Sequence, residues 1–227
     1  MARPVVETRA LTKTFGVTPV LRDVSVQLRE GGCALLVGAN GSGKSTLLRI
    51  LAGLSQPTSG EVMVFGENSR GLGVARRRIG MLSHQSWLYP NLTARENLEF
   101  YAELYGLPNR AGLATKWVEA VRLGASADER VREFSRGMEQ RLSIARTMMT
   151  QPDLLLLDEP FASLDPDGVA IVSELIRAAL ARGCAAMITA HSRLDLGVDL
   201  DCYQIVNGRV LPIREETRAP QHSRIGA

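Results

Sequence analysis

Nine residues, Gly38-Ala39-Asn40-Gly41-Ser42-Gly43-Lys44-Ser45-Thr46, constrain this chain more than any other stretch. They fill every position of the phosphate-binding pattern G-x-x-x-x-G-K-[ST]. The aliphatic run Cys33-Ala34-Leu35-Leu36-Val37 leads into them, and Leu47-Leu48-Arg49-Ile50-Leu51 follows. That order reads as buried strand, glycine-rich loop and helix. Glycines let successive backbone N–H groups turn inward around a phosphate, and the helix N-terminus adds the positive end of its dipole. Lys44 supplies a mobile cation for the outer phosphates, and Ser45 offers a hydroxyl to Mg²⁺. The loop predicts a nucleoside triphosphate as ligand.

Composition narrows what surrounds that loop. The 227 residues, 45% of them hydrophobic and 22% charged, suit one large globular domain or two small subdomains. Aromatics make up only 5% and the net charge of +3 is spread out, so no nucleic-acid partner is expected. Cys33, Cys184 and Cys202 sit singly in apolar segments without metal-ligand spacing, as reduced core residues of a cytoplasmic protein do. No apolar run is long enough to span a bilayer, and Met1-Ala2-Arg3-Pro4 does not open a signal peptide. Any membrane span is expected to come from another chain.

Periodicity divides the chain into thirds. The first third mixes short strands: Val5 to Thr12, turned by Thr14-Phe15-Gly16; Val24, Val26 and Leu28 in alternation; then Glu61 to Phe65 and Ile79 to Leu82. In the middle third Thr93-Ala94-Arg95-Glu96 forms a capping box. Behind it Ala94, Leu98, Tyr101, Ala102 and Tyr105 share one helical face. Leu113 to Leu123 reads as a second helix, and Met138, Leu142, Ala145 and Met149 mark a third. The last third returns to alternation: strand Leu154–Leu157, a helix started by Asp165-Pro166 and ending near Ala181, strand Ala185–Thr189, and a hairpin around Asn207-Gly208. The expected organisation is one domain over residues 1–213, with a helical subdomain at about 88–150 inserted into an α/β core. Residues 214–227 are polar and read as a disordered tail.

The chemistry gathers at strand ends. Leu154–Leu157 runs into Asp158-Glu159, and ligands of open α/β sheets sit at the carboxyl ends of the strands. Asp158 is placed to hold Mg²⁺ and Glu159 to orient an attacking water. His191 follows the strand Ala185–Thr189 at the same end, as a partner for the terminal phosphate or the water's surroundings. Gln85 follows Ile79–Leu82, where its amide oxygen reaches the metal or the water. His84 reads as its structural neighbour. Phe134-Ser135-Arg136-Gly137-Met138 opens the third helix with a serine and a glycine, a second anion site. A single nucleotide cannot reach both helix starts if they lie in different subdomains of one chain, whereas a facing chain solves that.

Gly38–Thr46, Gln85, Phe134–Met138, Leu154–Glu159, Ala162-Ser163-Leu164-Asp165 and His191 resemble, in order and spacing, the ATP-binding subunits of ABC transporters. The resemblance covers about Val5 to Ile213. It implies a RecA-like P-loop NTPase core with an antiparallel β-subdomain and an inserted helical subdomain. It also implies ATP and Mg²⁺ as cofactors, and a head-to-tail dimer with two ATP molecules between the chains. By that resemblance Phe15 stacks on adenine, Ser135 and Gly137 bind the partner's γ-phosphate, and the loop to Asp165 signals across the interface. Ser45, Gln85 and Asp158 would surround the metal; Glu159, His191 and Gln85 would carry catalysis. The family's usual helix-start motif is Leu-Ser-Gly-Gly-Gln; here Phe134, Arg136 and Met138 depart from it, while Ser135 and Gly137 remain.

Within the family, Arg77–Gln85, Leu88–Leu98 and Phe100-Tyr101 look like the haem exporter ATPase of cytochrome c maturation. The implied protein is a peripheral ATPase on the cytoplasmic face of the inner membrane, working with integral membrane permease subunits. Trp87, Leu88 and Tyr89 are expected to line the groove that receives a short helix of that permease. A drug or sodium efflux ATPase, and a soluble ATPase of iron–sulfur cluster assembly, are the alternatives.

Overall fold

The computed structural model describes residues 4–192 and 195–213, so the expected tail at 214–227 lies outside the described residues. In chain order the first part runs β1 (Pro4–Phe15), β2 (Thr18–Val24), β3 (Gln27–Arg29), β4 (Cys33–Val37), α1 (Lys44–Leu51), β5 (Ser59–Val64), β6 (Glu67–Asn68) and β7 (Ile79–Leu82). Three helices follow: α2 (Ala94–Leu104), α3 (Arg110–Ala120) and α4 (Arg136–Met148). The last part is β8 (Leu154–Asp158), α5 (Pro166–Ala181), β9 (Ala185–Ala190), β10 (Asp201–Val206) and β11 (Arg209–Pro212).

A six-stranded sheet in the order β11-β10-β4-β9-β8-β7 carries the site. Its strands pair in parallel from β10 to β7, and β11 closes one edge antiparallel to β10. Strands β4, β8 and β9 are buried throughout, which is why they read as unbroken aliphatic runs: both faces of a parallel sheet are covered. Successive side chains point to opposite faces. Leu35, Val37, Leu155, Leu157, Ala186 and Ile188 pack with the helices α2 to α5. Ala34, Leu36, Leu154, Leu156, Ala185 and Met187 pack instead with α1 and the second sheet.

That second sheet, β2-β1-β5-β6 with β3 also on β1, is antiparallel. Strand β1 continues to Phe15, three residues beyond the expected end at Thr12, because Phe15 still pairs with Thr18. The turn falls on Gly16 and Val17, with Gly16 at φ 56°. The alternating stretch Val24–Leu28 is two strands rather than one. All three apolar residues are buried, but the Thr8 hydroxyl takes over at the break, donating to Val24 O at 3.0 Å and accepting from Val26 N at 2.9 Å.

The capping box forms as read: Thr93 Oγ1 accepts from Glu96 N at 3.1 Å, and Glu96 Oε2 accepts from Thr93 N at 2.8 Å. Ala94, Leu98, Tyr101 and Ala102 are buried, whereas Tyr105, past the end of α2, is 41% exposed. Helix α3 starts at Arg110 and ends at Ala120, three residues ahead of the expected span, because Arg122 at φ 52° has left the helical region. Cys33 and Cys184 are buried as expected; Cys202 is only half-buried. Burial pushes the Cys33 and Cys184 thiols up to about 12.

Candidate functional site

The phosphate-binding loop leaves β4 at Val37 and turns into α1 at Lys44. Gly43 caps that helix at φ 109°, and a Cβ there would lie 2.9 Å from Leu21 Cδ2 and 3.1 Å from Val20 O. Only glycine lets the loop lie this close to β2 with that backbone. The Ser42 hydroxyl is buried and has no hydrogen-bond partner among the described residues. An unmatched buried hydroxyl beside a row of backbone N–H groups suits a phosphate oxygen. Residues Asn40 to Thr46 line a cavity of about 250 Å³ that also reaches Glu159 and His84. Lys44 is 95% buried, since its side chain is 5% exposed, and its Nζ donates to Gly38 O at 2.8 Å and Ala39 O at 3.2 Å.

The carboxyl ends of β8 and β9 bring the acids to that lysine. Asp158 is the last residue of β8, with its side chain 2% exposed. Its Oδ1 accepts from Thr189 Oγ1 at 2.7 Å, and the same hydroxyl accepts from Glu159 N at 3.0 Å. Glu159 adopts φ 52°, a conformation that costs a non-glycine residue about 1 kcal/mol or more. That turn ends the strand and swings the carboxylate across the sheet. Oε1 lies 3.7 Å from Lys44 Nζ, and Oε2 lies 3.0 Å from His191 Nε2. Lys44, Asp158, Glu159 and His191 are thus one connected cluster built from three separate chain segments.

Gln85, Ser45 and Asp158 all line one larger cavity of about 720 Å³, with Gln85 exposed just past the end of β7. Mg²⁺ prefers oxygen ligands in near-octahedral geometry. A hydroxyl, an amide oxygen and a buried carboxylate are donors of the kind it takes.

The remaining expected contacts lie apart from the phosphate loop. Ser135 caps α4, accepting from Met138 N at 3.2 Å. A Cβ on Gly137 would stand 2.9 Å from Ser163 O, so the start of α4 packs against the loop that leads to Asp165. Asp165 spends one carboxylate oxygen on capping α5, accepting from Gly168 N at 2.8 Å. Neither Ser135 nor Gly137 lines the cavity at Asn40–Thr46. Phe15 is 53% exposed at the end of β1, with Lys13 Nζ 4.6 Å from its ring centre.

Three residues at the site escaped the sequence reading. Thr189 joins both acids, and its only signal is a hydroxyl ending an otherwise aliphatic strand. Gln140 Nε2 donates to Glu159 O at 3.3 Å and Pro160 O at 3.1 Å, fixing the strained turn from α4. His84 Nε2 lies 3.6 Å from Asp158 Oδ2, so this histidine faces the acids instead of merely flanking Gln85.

Comparison with known proteins agrees with this geometry. The family model described as "ABC transporter" matches residues 21–162. Nod factor export ATP-binding protein I of Paraburkholderia xenovorans is 36% identical over 194 residues, 84% of this chain and 64% of the relative. Its counterpart in Ralstonia nicotianae is 36% identical over 195 residues, 83% of this chain and 60% of the relative. The chain therefore spans less than two thirds of the length of these curated relatives. Among solved structures, the ATP-binding subunit of an ABC transporter superposes with a TM-score of 0.81 at 28% identity, covering 91% of this chain and 88% of that one. The ATP-binding cassette MJ0796, in a dimeric post-hydrolysis state bound to ADP and Pi, superposes at 0.80 with 27% identity, covering 90% and 96%. No helix among the described residues is long and apolar enough to cross a membrane. With the phosphate loop, the acid pair and the two-sheet architecture in place, the chain belongs to the ABC transporter family and carries its ATP-binding ATPase domain.

Proposed function

We propose that this chain binds and hydrolyses ATP in a head-to-tail pair with a second ATPase chain, and that the pair drives export through separate membrane permease subunits. The observation that carries the reading is the cluster of Lys44, Asp158, Glu159 and His191 at the carboxyl ends of β4, β8 and β9. The backbone N–H groups of Gly41 to Thr46 and Lys44 bind the phosphates, and Phe15 stacks on the base. Glu159, polarised between Lys44 and His191, orients the water that attacks the terminal phosphorus. Mg²⁺ held by Ser45, Asp158 and Gln85 supplies charge neutralisation on the phosphates. Ser135 and Gly137 complete the site of the facing chain, and Asp165 lies on the loop between the two sites. The helical segment at about 88–150 acts as a subdomain that follows Gln85.

Glu159→Gln tests this directly: the variant binds ATP, turns it over slowly, and elutes as a dimer with ATP and Mg²⁺. An elution position that stays monomeric counts against the paired arrangement.

The permease groove follows from the loop after β7. Leu88 packs into the core, while Trp87 and Tyr89 are 60% and 47% exposed. Trp87 lines the cavity of about 720 Å³ together with Leu54, Met81, Tyr105 and two arginines, Arg49 and Arg146. A short amphipathic helix with an acidic residue suits such walls. Trp87→Ala and Tyr89→Ala retain basal ATPase and lose transport in the assembled transporter; normal transport by both variants places the groove elsewhere. As to cargo, the relatives carry the name of Nod factor export, which supports export as the direction. Haem as cargo rests on the likeness of the stretch from Arg77 to Tyr101, of Phe134–Met138 and of the short length, none of which the relatives' names support, and co-purification of the permease with its cargo decides it. Under this reading the protein sits at the cytoplasmic face of the inner membrane, held there by its permease.

A further inference from the structure

His84 changes the metal chemistry open to this site. One donor atom each from His84, Asp158 and Glu159 lies within 4.8 Å of the other two. The Asp158 side chain is 98% buried, since 2% is exposed, and its Oδ1 is held by the Thr189 hydroxyl at 2.7 Å. The other oxygen, Oδ2, lies 3.6 Å from His84 Nε2, which is too long for a good hydrogen bond. Two ligands of a tetrahedral ion bound at about 2.0–2.1 Å stand roughly 3.3–3.4 Å apart. The His84–Asp158 separation is therefore within a few tenths of an ångström of a metal-bridged pair. His84, 65% exposed, has room to close the rest, while the Glu159 carboxylate, 14% exposed, must turn away from Lys44 and His191 to do so.

An imidazole nitrogen adds little for Mg²⁺, which takes oxygen and keeps its waters. It adds a great deal for a borderline ion such as Zn²⁺, whose affinity for mixed nitrogen and carboxylate sites far exceeds that of the hard cations. We propose that His84, Asp158 and Glu159 form a binding site for a transition divalent cation of the Zn²⁺ class, sharing Asp158 with the Ser45–Gln85–Asp158 set but replacing its other two ligands, and independent of nucleotide. An ion held there draws the Glu159 carboxylate away from Lys44 and His191, which now lie 3.7 and 3.0 Å from it. It also ties the loop after β7 to the end of β8. Such an ion would hold the water-orienting group in an unproductive position until it is removed.

The test uses the untagged, chelator-stripped full chain without nucleotide, titrated with Zn²⁺ against a chromophoric competitor. Electron spin-echo measurements on the stripped chain loaded with Cu²⁺ in place of Zn²⁺ read nitrogen coordination. The expected result is one Zn²⁺ per chain and a nitrogen modulation from bound Cu²⁺. His84→Ala should weaken Zn²⁺ binding by at least about tenfold and abolish the modulation. Asp158→Asn should weaken binding to a similar extent. His191→Ala should not weaken it, since removing that imidazole frees Glu159, and the same holds for His222→Ala outside the described residues. Circular dichroism confirms that each variant is folded. The proposal is overturned if His84→Ala binds Zn²⁺ as wild type does, if His191→Ala or His222→Ala removes the binding, or if bound Cu²⁺ shows no nitrogen. Because no ATP is present, a negative result leaves the ATPase reading intact, and that reading fails separately in the Glu159→Gln experiment.

Discussion

Thr189→Val isolates what one hydroxyl does for the acid pair. Thr189 is fully buried, and its Oγ1 both donates to Asp158 Oδ1 at 2.7 Å and accepts from Glu159 N at 3.0 Å. Valine keeps the branched shape, so no large cavity opens and the loss is mainly polar. A hydrogen bond to a charged acceptor contributes about 1.5–3 kcal/mol, and a buried N–H left without a partner costs about 1–3 kcal/mol. Together these give roughly 3–4 kcal/mol of stability lost. With a urea slope of about 3 kcal/mol per molar, the unfolding midpoint falls by about 1 M. Function suffers through the same atoms, because the Glu159 N–H no longer has a fixed anchor for its strained turn. A displacement of about 1 Å at a reacting group costs on the order of a hundredfold in rate. Urea unfolding followed by circular dichroism, alongside Mg·ATP turnover, measures both effects. Thr189→Ser keeps the hydroxyl and is expected to retain turnover while losing only the methyl contribution, about 1 kcal/mol. A valine variant with an unchanged midpoint and wild-type turnover would refute the claim that Thr189 organises Asp158 and Glu159.

Three further predictions concern stability and thiol chemistry. Asn97 is fully buried and binds the loop before α2 at four points, accepting from Tyr89 N and donating to the carbonyls of Tyr89, Leu92 and Thr93. Asn97→Leu should cost about 2–4 kcal/mol and raise hydrogen exchange across residues 87–93. The Cys33 and Cys184 thiols, pushed up to about 12 by burial, should resist a disulfide reagent at pH 8, while half-buried Cys202 reacts. The sign of the linked pH effect follows from their protonated folded form. Above pH 9 the unfolded thiols ionise and the folded ones do not, so the unfolded chain holds fewer protons and stability falls as pH rises from 9 towards 12. Urea midpoints at pH 8 and pH 10 read this, and the Cys33→Ala variant should show the smaller drop.

The parts of the site that could be read from residues alone are those where one chemical need dominates. Strands β4 and β8 show as aliphatic runs because both faces are covered, and each run stops where the glycines or acids of the candidate site begin. The parts that could not be read depend on partners distant in sequence. The hairpin around Asn207-Gly208 looks local, yet β10 also pairs in parallel with β4, and that pairing has no periodic signature. Thr189 bridges two acids about thirty residues away, and Gln140 reaches Glu159, just past the end of β8, from helix α4. Helix α3 ends at a left-handed arginine, Arg122, where no glycine marks the stop, so the apolar residues Val121 and Leu123 extend the helical pattern past the real end.

Helix α4 explains how a ligand at one strand end can be felt at another. Its Glu139 accepts from the Ser86 hydroxyl, and its Ser143 donates to Ser86 O at 3.3 Å, so the residue after Gln85 is tied to this helix twice. Gln140, one residue on from Glu139, holds the carbonyls of Glu159 and Pro160 at the end of β8. The first turn of the same helix carries Ser135 and Gly137, with Gly137 packed against Ser163 O. Under the proposed function, a shift of Gln85 towards a metal ion would pull on Ser86, Ser86 on α4, and α4 on both Glu159 and the surface offered to a facing chain. These connections are directional hydrogen bonds and a close backbone contact, so a displacement at one end is passed on rather than absorbed. Such a chain of contacts is what the proposed division of the site between two chains would require, because each half would have to register whether the other is filled.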